Sequence, residues 1–391
     1  MRNTAAAAVV LMTIAALSAP AWAGVRRPKI HTTDAAAMGY ADIAFSGPAA
    51  GALDQPGGGF RAISLDARGT LSEGLNIVDW VNDVKDFKES FVTVLDALAR
   101  VDDLIDIGER SGWTLGARLR LDILRFSFAG PKLGYLVVGG YAESSVGVRV
   151  PKPDTSRISW QGDHIDIGSD YKALMARGWA DGGVVFQYGR SIDLPKGMRL
   201  GAGIAHRVFH RMYVPEHAFV FHKELYSGDD IEVPEFTYER GWGFGTDFFA
   251  SFDTGDRYVG GRLSVEVRNA PTIAWMDEGT MRDMVMIGTG VSLHPLRWVG
   301  IDDWLVAADV ETFEDGMPAI HAGTSWRLGN QRFHFTPSIG GALLGRDVWG
   351  DPYHSFTAGF SAKVAVLELA GVFEYIGSGR YDAGVRVAVG W

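Results

Sequence analysis

The chain ends on a two-residue alternation. From Asp382 to Trp391 the odd positions hold Ala383, Val385, Val387, Val389 and Trp391, and the even ones hold Asp382, Gly384, Arg386, Ala388 and Gly390. Successive side chains of a strand point to opposite faces, so one face is greasy and the other polar or small. The same period recurs upstream. Phe356, Ala358, Phe360, Ala362 and Val364 alternate with Thr357, Gly359, Ser361 and Lys363; Trp304, Val306, Ala308 and Val310 alternate with Leu305, Ala307, Asp309 and Glu311. Similar runs cover Leu115–Ile123, Trp242–Ser251, Leu263–Arg268, Ile320–Leu328 and Arg332–Leu343. Runs of ~10 residues suit a tilted strand crossing a bilayer, whereas a soluble sandwich uses strands of ~5–6. In lipid the backbone must satisfy its own hydrogen bonds, and a closed barrel does so without an open edge.

Counting such runs predicts fourteen strands, starting near Phe60, Trp113, Leu133, Val184, Met198, Trp242, Val259, Val285, Asp302, Ala319, Arg332, Phe356, Val366 and Tyr381. Twelve or sixteen also fit the even-number rule of single-chain bacterial barrels. Arg157 to Ile167 carries Gly162, Asp163, His164 and Asp166 and is expected to be a loop hairpin outside the wall. The fold class predicted is therefore an all-β transmembrane barrel.

Two segments do not fit a wall. In 76–108, Ile77, Val84, Phe91, Leu98 and Ile105 are spaced by seven, with Trp80, Phe87, Val94 and Val101 three after each of the first four. That is the pattern of an amphipathic helix. It is expected to cover an apolar surface of its own protein, with docking to an envelope partner or plugging of the lumen as alternatives. The second segment, 24–58, is rich in Gly, Ala and Pro, with Phe45-Ser46-Gly47-Pro48 and Gln55-Pro56-Gly57. It is too irregular for a wall strand, and Met38, Ile43, Phe45 and Leu53 suit packing.

Residues 1–23 read as a secretory signal. Arg2 precedes the apolar stretch Ala5–Ala16, and Ala21-Trp22-Ala23 is a small-x-small cleavage site. The apolar stretch is too short for a spanning helix, and no later stretch of 18 uncharged apolar residues exists. Composition adds exclusions. The chain has no Cys, hence no disulfide framework and no thiolate metal site. It carries 37 basic and 47 acidic residues, a net charge of −10, or 36 − 47 = −11 without Arg2. That argues against a nucleic-acid surface.

Chemistry-bearing groups are sparse. His206, His210, His217 and His222 lie near Glu216 and Glu224, but without the tight spacing of a metal site, and Tyr213-Val214-Pro215 is expected to break the strand between them. Ser227–Glu232 is acidic but lacks the ligand order of a calcium loop. His334 and Ser338 share a face, with His321 turned the same way, and no orienting acid is evident for a hydrolase. No cofactor is implied, and the expectation is that the protein is not an enzyme. The polar faces place Arg118, Arg120, Asp122, Glu266, Arg268, Asp309, Glu311, Arg327, Lys363, Glu368, Glu374 and Arg386 inside the barrel. Their mixed signs argue against a strongly ion-selective pore.

Two resemblances add to this reading. The alternation Val385, Val387, Val389 closing on Trp391 resembles the C-terminal targeting signal of bacterial outer-membrane barrels. Met38-Gly39-Tyr40-Ala41-Asp42-Ile43-Ala44 resembles the M-G-x-A-x-x-A opening of the FadL-like outer-membrane barrels, which include PorV-like and TraF-like branches. Where that family has Asn-Pro-Ala, this chain has Gln55-Pro56-Gly57. The acidic helix after the first strand, the run Tyr188–Asp193 leading to Met198–Gly203, and Val267-Arg268-Asn269-Ala270 are similar to the TraF-like branch. The resemblance implies an N-terminal hatch in the lumen built around Met38, Gly39, Ala41, Ala44, Gln55, Pro56 and Gly57. It also implies uptake of small hydrophobic molecules, or service to a secretion or conjugation system. The expectation is thus a passive channel in the outer membrane of a Gram-negative-type envelope, in contact with lipid and a small hydrophobic ligand. An accessory barrel with an envelope partner on 77–105 stands second, and a barrel hydrolase last.

Overall fold

The structure is a computed structural model. It describes Met38, Ala41 and residues 59–72, 114–130, 134–151, 155–157, 159–161, 164–166, 168–222, 224–225, 231–232, 237–255, 260–301, 303–314, 316, 318–330, 332–346, 352–377 and 379–390. The signal segment 1–23, the helix expected in 76–108, most of the segment 24–58 and Trp391 lie outside the described residues.

Fourteen antiparallel strands close into a cylinder. In chain order they are β1 (Gly59–Ser72), β2 (Thr114–Gly130), β3 (Gly134–Arg149), β4 (Tyr171–Asp193), β5 (Arg199–Phe221) and β6 (Glu239–Asp253). β7 (Arg262–Arg268, resuming at Thr272–Met276) and β8 (Gly279–Arg282, resuming at Met286–Leu293) form one long hairpin with a break in each arm. Then come β9 (Trp304–Phe313), β10 (Pro318–Trp326), β11 (Phe333–Arg346), β12 (Ser355–Val364), β13 (Leu367–Ile376) and β14 (Arg380–Gly390). β14 pairs with β1 from Arg61 opposite Gly390 to Ser72 opposite Arg380, which closes the wall. No edge strand is then left among them, as a wall in lipid requires.

The alternation read from the sequence becomes a difference between outside and inside. On β14, Val385 is 61% exposed, while Asp382 and Arg386 beside it are buried. On β12, Phe356 and Phe360 face outward and Thr357 is buried. Trp298, Trp326 and Phe333 stand exposed near the end that holds both termini, and Trp242, Trp275 and Tyr375 near the far end. Such a distribution resembles aromatic girdles around an apolar band. The short connections β2–β3, β4–β5 and β12–β13 lie at the termini end. At Gly329-Asn330, between β10 and β11, Gly329 has φ 116°, and the Asn330 carboxamide oxygen accepts from the amides of Arg332 (2.9 Å) and Phe333 (3.0 Å).

Several expectations need correction. β4 begins at Tyr171, well before Val184, and like β5 it has 23 residues, so this part of the wall stands higher than its neighbours. β5 also runs unbroken through Tyr213-Val214-Pro215. A register shift against β4, between Ala176 and Gly178, absorbs the proline there. The segment 157–167 does form a short hairpin apart from the wall, Ser159–Gln161 against His164–Asp166.

The lumen as candidate functional site

The inner faces of the strands divide the lumen into two sectors that differ in aromatic content. On β3 to β7 aromatic and other apolar groups stand among inward charges such as Asp181, Arg207 and Asp247. Tyr141, Phe209, Ala274 and Met276 form one buried cluster, with Val185, Tyr213 and Met281 against it. Phe249 packs on Ala205 nearby. Glycines let these rings lie flat on the wall. A Cβ at Gly243 would stand 2.4 Å from the Phe209 ring, and one at Gly203 would stand 2.5 Å from the Phe249 ring. Above them Arg211, 1% exposed, crosses the inner wall. Its Nε and Nη2 donate to the Asp181 carboxylate (2.8 and 2.9 Å), and its Nη1 and Nη2 donate to that of Asp283 (2.6 and 2.9 Å). Its guanidinium carbon also lies 4.9 Å from the centroid of the Phe209 ring.

The wall of β12 to β14, β1 and β2 is charged inside. Arg68 bonds Glu374 at 3.1 Å and Asp382 at 3.2 Å, and the Thr70 hydroxyl donates to the other oxygen of Asp382 (3.1 Å). Glu374 has no exposed area. Nearer the termini, Glu368 accepts from Arg61 (3.2 Å), Lys363 (3.3 Å) and Arg386 (3.4 Å). Arg120 meets Asp122 at 3.4 Å. Arg118, half-buried beside Arg68, has no ion pair among the described residues. At the far end Tyr353 packs its ring against Gly345, and burial, with Glu374 next in effect, pushes its phenol up. Buried charges in such numbers persist only where ion pairs and hydrogen bonds satisfy them.

Between the sectors, Glu266, Asp309, Glu311 and His321 are buried on β7, β9 and β10, with Arg268 donating to Glu266 at 2.9 Å. Arg207 links Asp247 (3.1 Å) to Asn269 (2.8 Å), and Asn269 also donates to the Met284 carbonyl at 3.1 Å. Asn269 has φ 59°, the left-handed conformation that Asn tolerates, and sits at the break in β7. Met38 and Ala41 are fully buried with Ala307, and Leu305 packs against them. A Cβ at Gly323 would fall 2.1 Å from the Met38 carbonyl oxygen, so only glycine lets that backbone lie against β10. The other residues expected in a hatch, Gly39, Ala44, Gln55, Pro56 and Gly57, lie outside the described residues.

Arg327 is not inside. β10 ends at Trp326, so the alternation no longer governs the next residue, and Arg327 is exposed on the turn, with Nη2 2.9 Å from Asp303. The histidines on and beyond β5 do not converge. His206 and His210 face outward, His217 bonds the Thr237 carbonyl (3.0 Å), and His222 stands 3.8 Å from Asp170. No three metal-ligating side chains gather among the described residues. His334 and Ser338, four apart along one strand, are separated by ~13 Å at the usual rise, too far for a nucleophile and its base. Sequence reading missed Arg211, Asp181, Asp283, Phe209 and Phe249. Strict parity along an unbroken β5 would have put Phe209 and Arg211 inside together.

No protein-family model matches the chain, and no curated protein does. Among solved structures it is similar to the Ralstonia pickettii toluene transporter TbuX, with 10% identity, TM-score 0.47, and coverage of 92% of this chain and 97% of that one. It is also similar to the P. putida toluene transporter TodX, with 10% identity, TM-score 0.45 and the same coverage. A variant Rh. blastica porin matches with 8% identity and TM-score 0.28, over 85% of this chain and 99% of that one.

Proposed function

We propose that the chain is an outer-membrane channel through which small hydrophobic molecules pass by the aromatic and apolar cluster of the lumen. One observation carries this reading. β1, β13 and β14 build the same kind of wall with charges inside, so the fold itself does not call for Tyr141, Phe209, Phe249 and Met276 on the inner faces of β3 to β7. An aromatic and apolar cluster on the inner wall suits a solute that water and ions do not solvate well. The outward apolar band supports a membrane location, and the FadL-like sequence elements support the hydrophobic cargo. Segment 24–58 is the hatch of this reading, held through Met38 against Gly323. Processing of 1–23 as an export signal belongs to the same reading.

The finer assignment, to the TraF-like branch with an envelope partner on 77–105, has the sequence elements alone in support. The topology sets a condition on it. β1 ends and β2 begins at the end of the cylinder opposite the termini, so with periplasmic termini such a partner would approach from outside the cell.

The test is uptake of a neutral hydrophobic dye by cells with an intact outer membrane, with and without the chain. Expression should raise uptake, Phe249→Glu should abolish the gain, and Gly323→Val should raise it further by unseating Met38. Equal uptake in expressing and empty cells, with the barrel folded, would refute the proposal.

A further inference from the structure

Polar side chains buried in the lumen mostly find partners within the chain. Arg211 has Asp181 and Asp283, Arg68 has Glu374 and Asp382, and Asn269 has Arg207 and the Met284 carbonyl. Gln187 differs. Parity along β4 turns it inward between Val185 and Gly189, and it is 5% exposed. Among the described residues no hydrogen bond reaches its Nε2. Its cross-strand neighbours, Val137 on β3 and Ala205 on β5, are buried and apolar. The Phe249 ring packs on Ala205 and lies with its far edge where a Cβ of Gly203 would be, so it reaches from β6 towards β4. Arg207, the nearest charge along β5, is turned the other way, to Asp247 and Asn269. A buried water needs about two to four polar partners, and the side chains beside the amide supply none. A buried carboxamide left unmet is costly, and an apolar side chain of the same length would fill the place without that cost.

We propose that Gln187 is the polar contact of the solute site, and that the solutes are neutral hydrophobic molecules carrying one hydroxyl, of the aryl-alcohol class. The solute takes the place of the Phe249 ring over Gly203 and Ala205, whose small side chains leave a floor for a ring. Its hydroxyl then meets the Gln187 amide. A carboxamide both donates and accepts, and so does a hydroxyl, whereas a carbonyl oxygen answers only the N–H end. A carboxylate suits the place less, because a neutral amide among apolar groups does not offset the loss of water around a full charge. A site of this kind discriminates against a solute that lacks the hydroxyl, since binding it leaves the buried amide unmet. The inference rests on the channel reading and narrows its cargo.

The test is equilibrium binding of naphthol and of methylnaphthalene, in which a methyl group stands for the hydroxyl, to the purified full-length chain in lipid nanodiscs. After correction for partition into nanodiscs without the chain, naphthol should bind about tenfold tighter, the size of one hydrogen bond to a buried group. Gln187→Met keeps the length of the side chain. It should remove the preference for naphthol and leave methylnaphthalene within about twofold, and the empty barrel should be at least as stable in urea, since no buried amide is then left unmet. Folding of the variant is checked by heat-modifiable mobility, and the preference of the native chain is read independently of it. Equal binding of the two compounds by the native chain, or an equal loss of both in Gln187→Met, would overturn the inference and leave the channel reading standing. A less stable empty barrel in Gln187→Met would show that the amide is met within the chain and would overturn it as well. Binding of neither compound by a folded native barrel would overturn the inference together with the channel reading.

Discussion

Ala365 holds a left-handed conformation, φ 55°, in the two-residue turn between β12 and β13. A Cβ is disfavoured there by about 1–2 kcal/mol, partly offset in glycine by greater freedom in the unfolded chain. Ala365→Gly should therefore stabilise the barrel by roughly 0.5–1 kcal/mol in urea unfolding from lipid vesicles; loss of stability would show that the turn is not in that conformation. The opposite case is Gly243, pressed under the Phe209 ring. Gly243→Ala should cost about 1–3 kcal/mol by overpacking, and the share due to the ring, though not that due to the Ile273 carbonyl oxygen, should return when Phe209 is shortened to Leu in the same chain. Additive losses would contradict the contact. Neither position was legible in the sequence. A glycine under a ring and an alanine in a strained turn look like any other small residue until the cross-strand register is known. Alternation assigns Arg386 and Glu374 to one face without any knowledge of the neighbour, and both are buried.

Between strands, what counts is which inward groups reach across. Arg211 on β5 joins Asp181 on β4 to Asp283 at the break in β8. Arg211→Met should leave two buried carboxylates facing each other and cost about 3–5 kcal/mol by equilibrium unfolding. Adding Asp181→Asn and Asp283→Asn should recover most of that, and failure to recover would mean that Arg211 acts through packing instead. The strands themselves were readable from period two, and each expected start lies within three residues of the first residue of a wall strand, except that β4 starts earlier, at Tyr171, and β8 at Gly279, six residues before Val285. The exceptions have local causes. Pro215 looked like a strand end, but a shifted register accommodates it; Arg327 looked like a lumen group, but the strand had already stopped. Ion pairs between β1 and β13 or β14, such as Arg68 with Glu374, join residues some three hundred positions apart, which no local pattern can match up.

The whole molecule follows from one division of space, with apolar side chains outside and a mixed interior inside, closed by the pairing of β14 with β1. The lack of cysteine allows that division to be tested residue by residue. Single cysteines at Phe373, Val385 and Val387, and at Glu374 and Arg386 between them, would carry a fluorophore read against a lipid-soluble quencher in the native membrane. The account predicts strong quenching at the first three positions and weak quenching at the other two. Equal quenching at all five, or none at any, would contradict it.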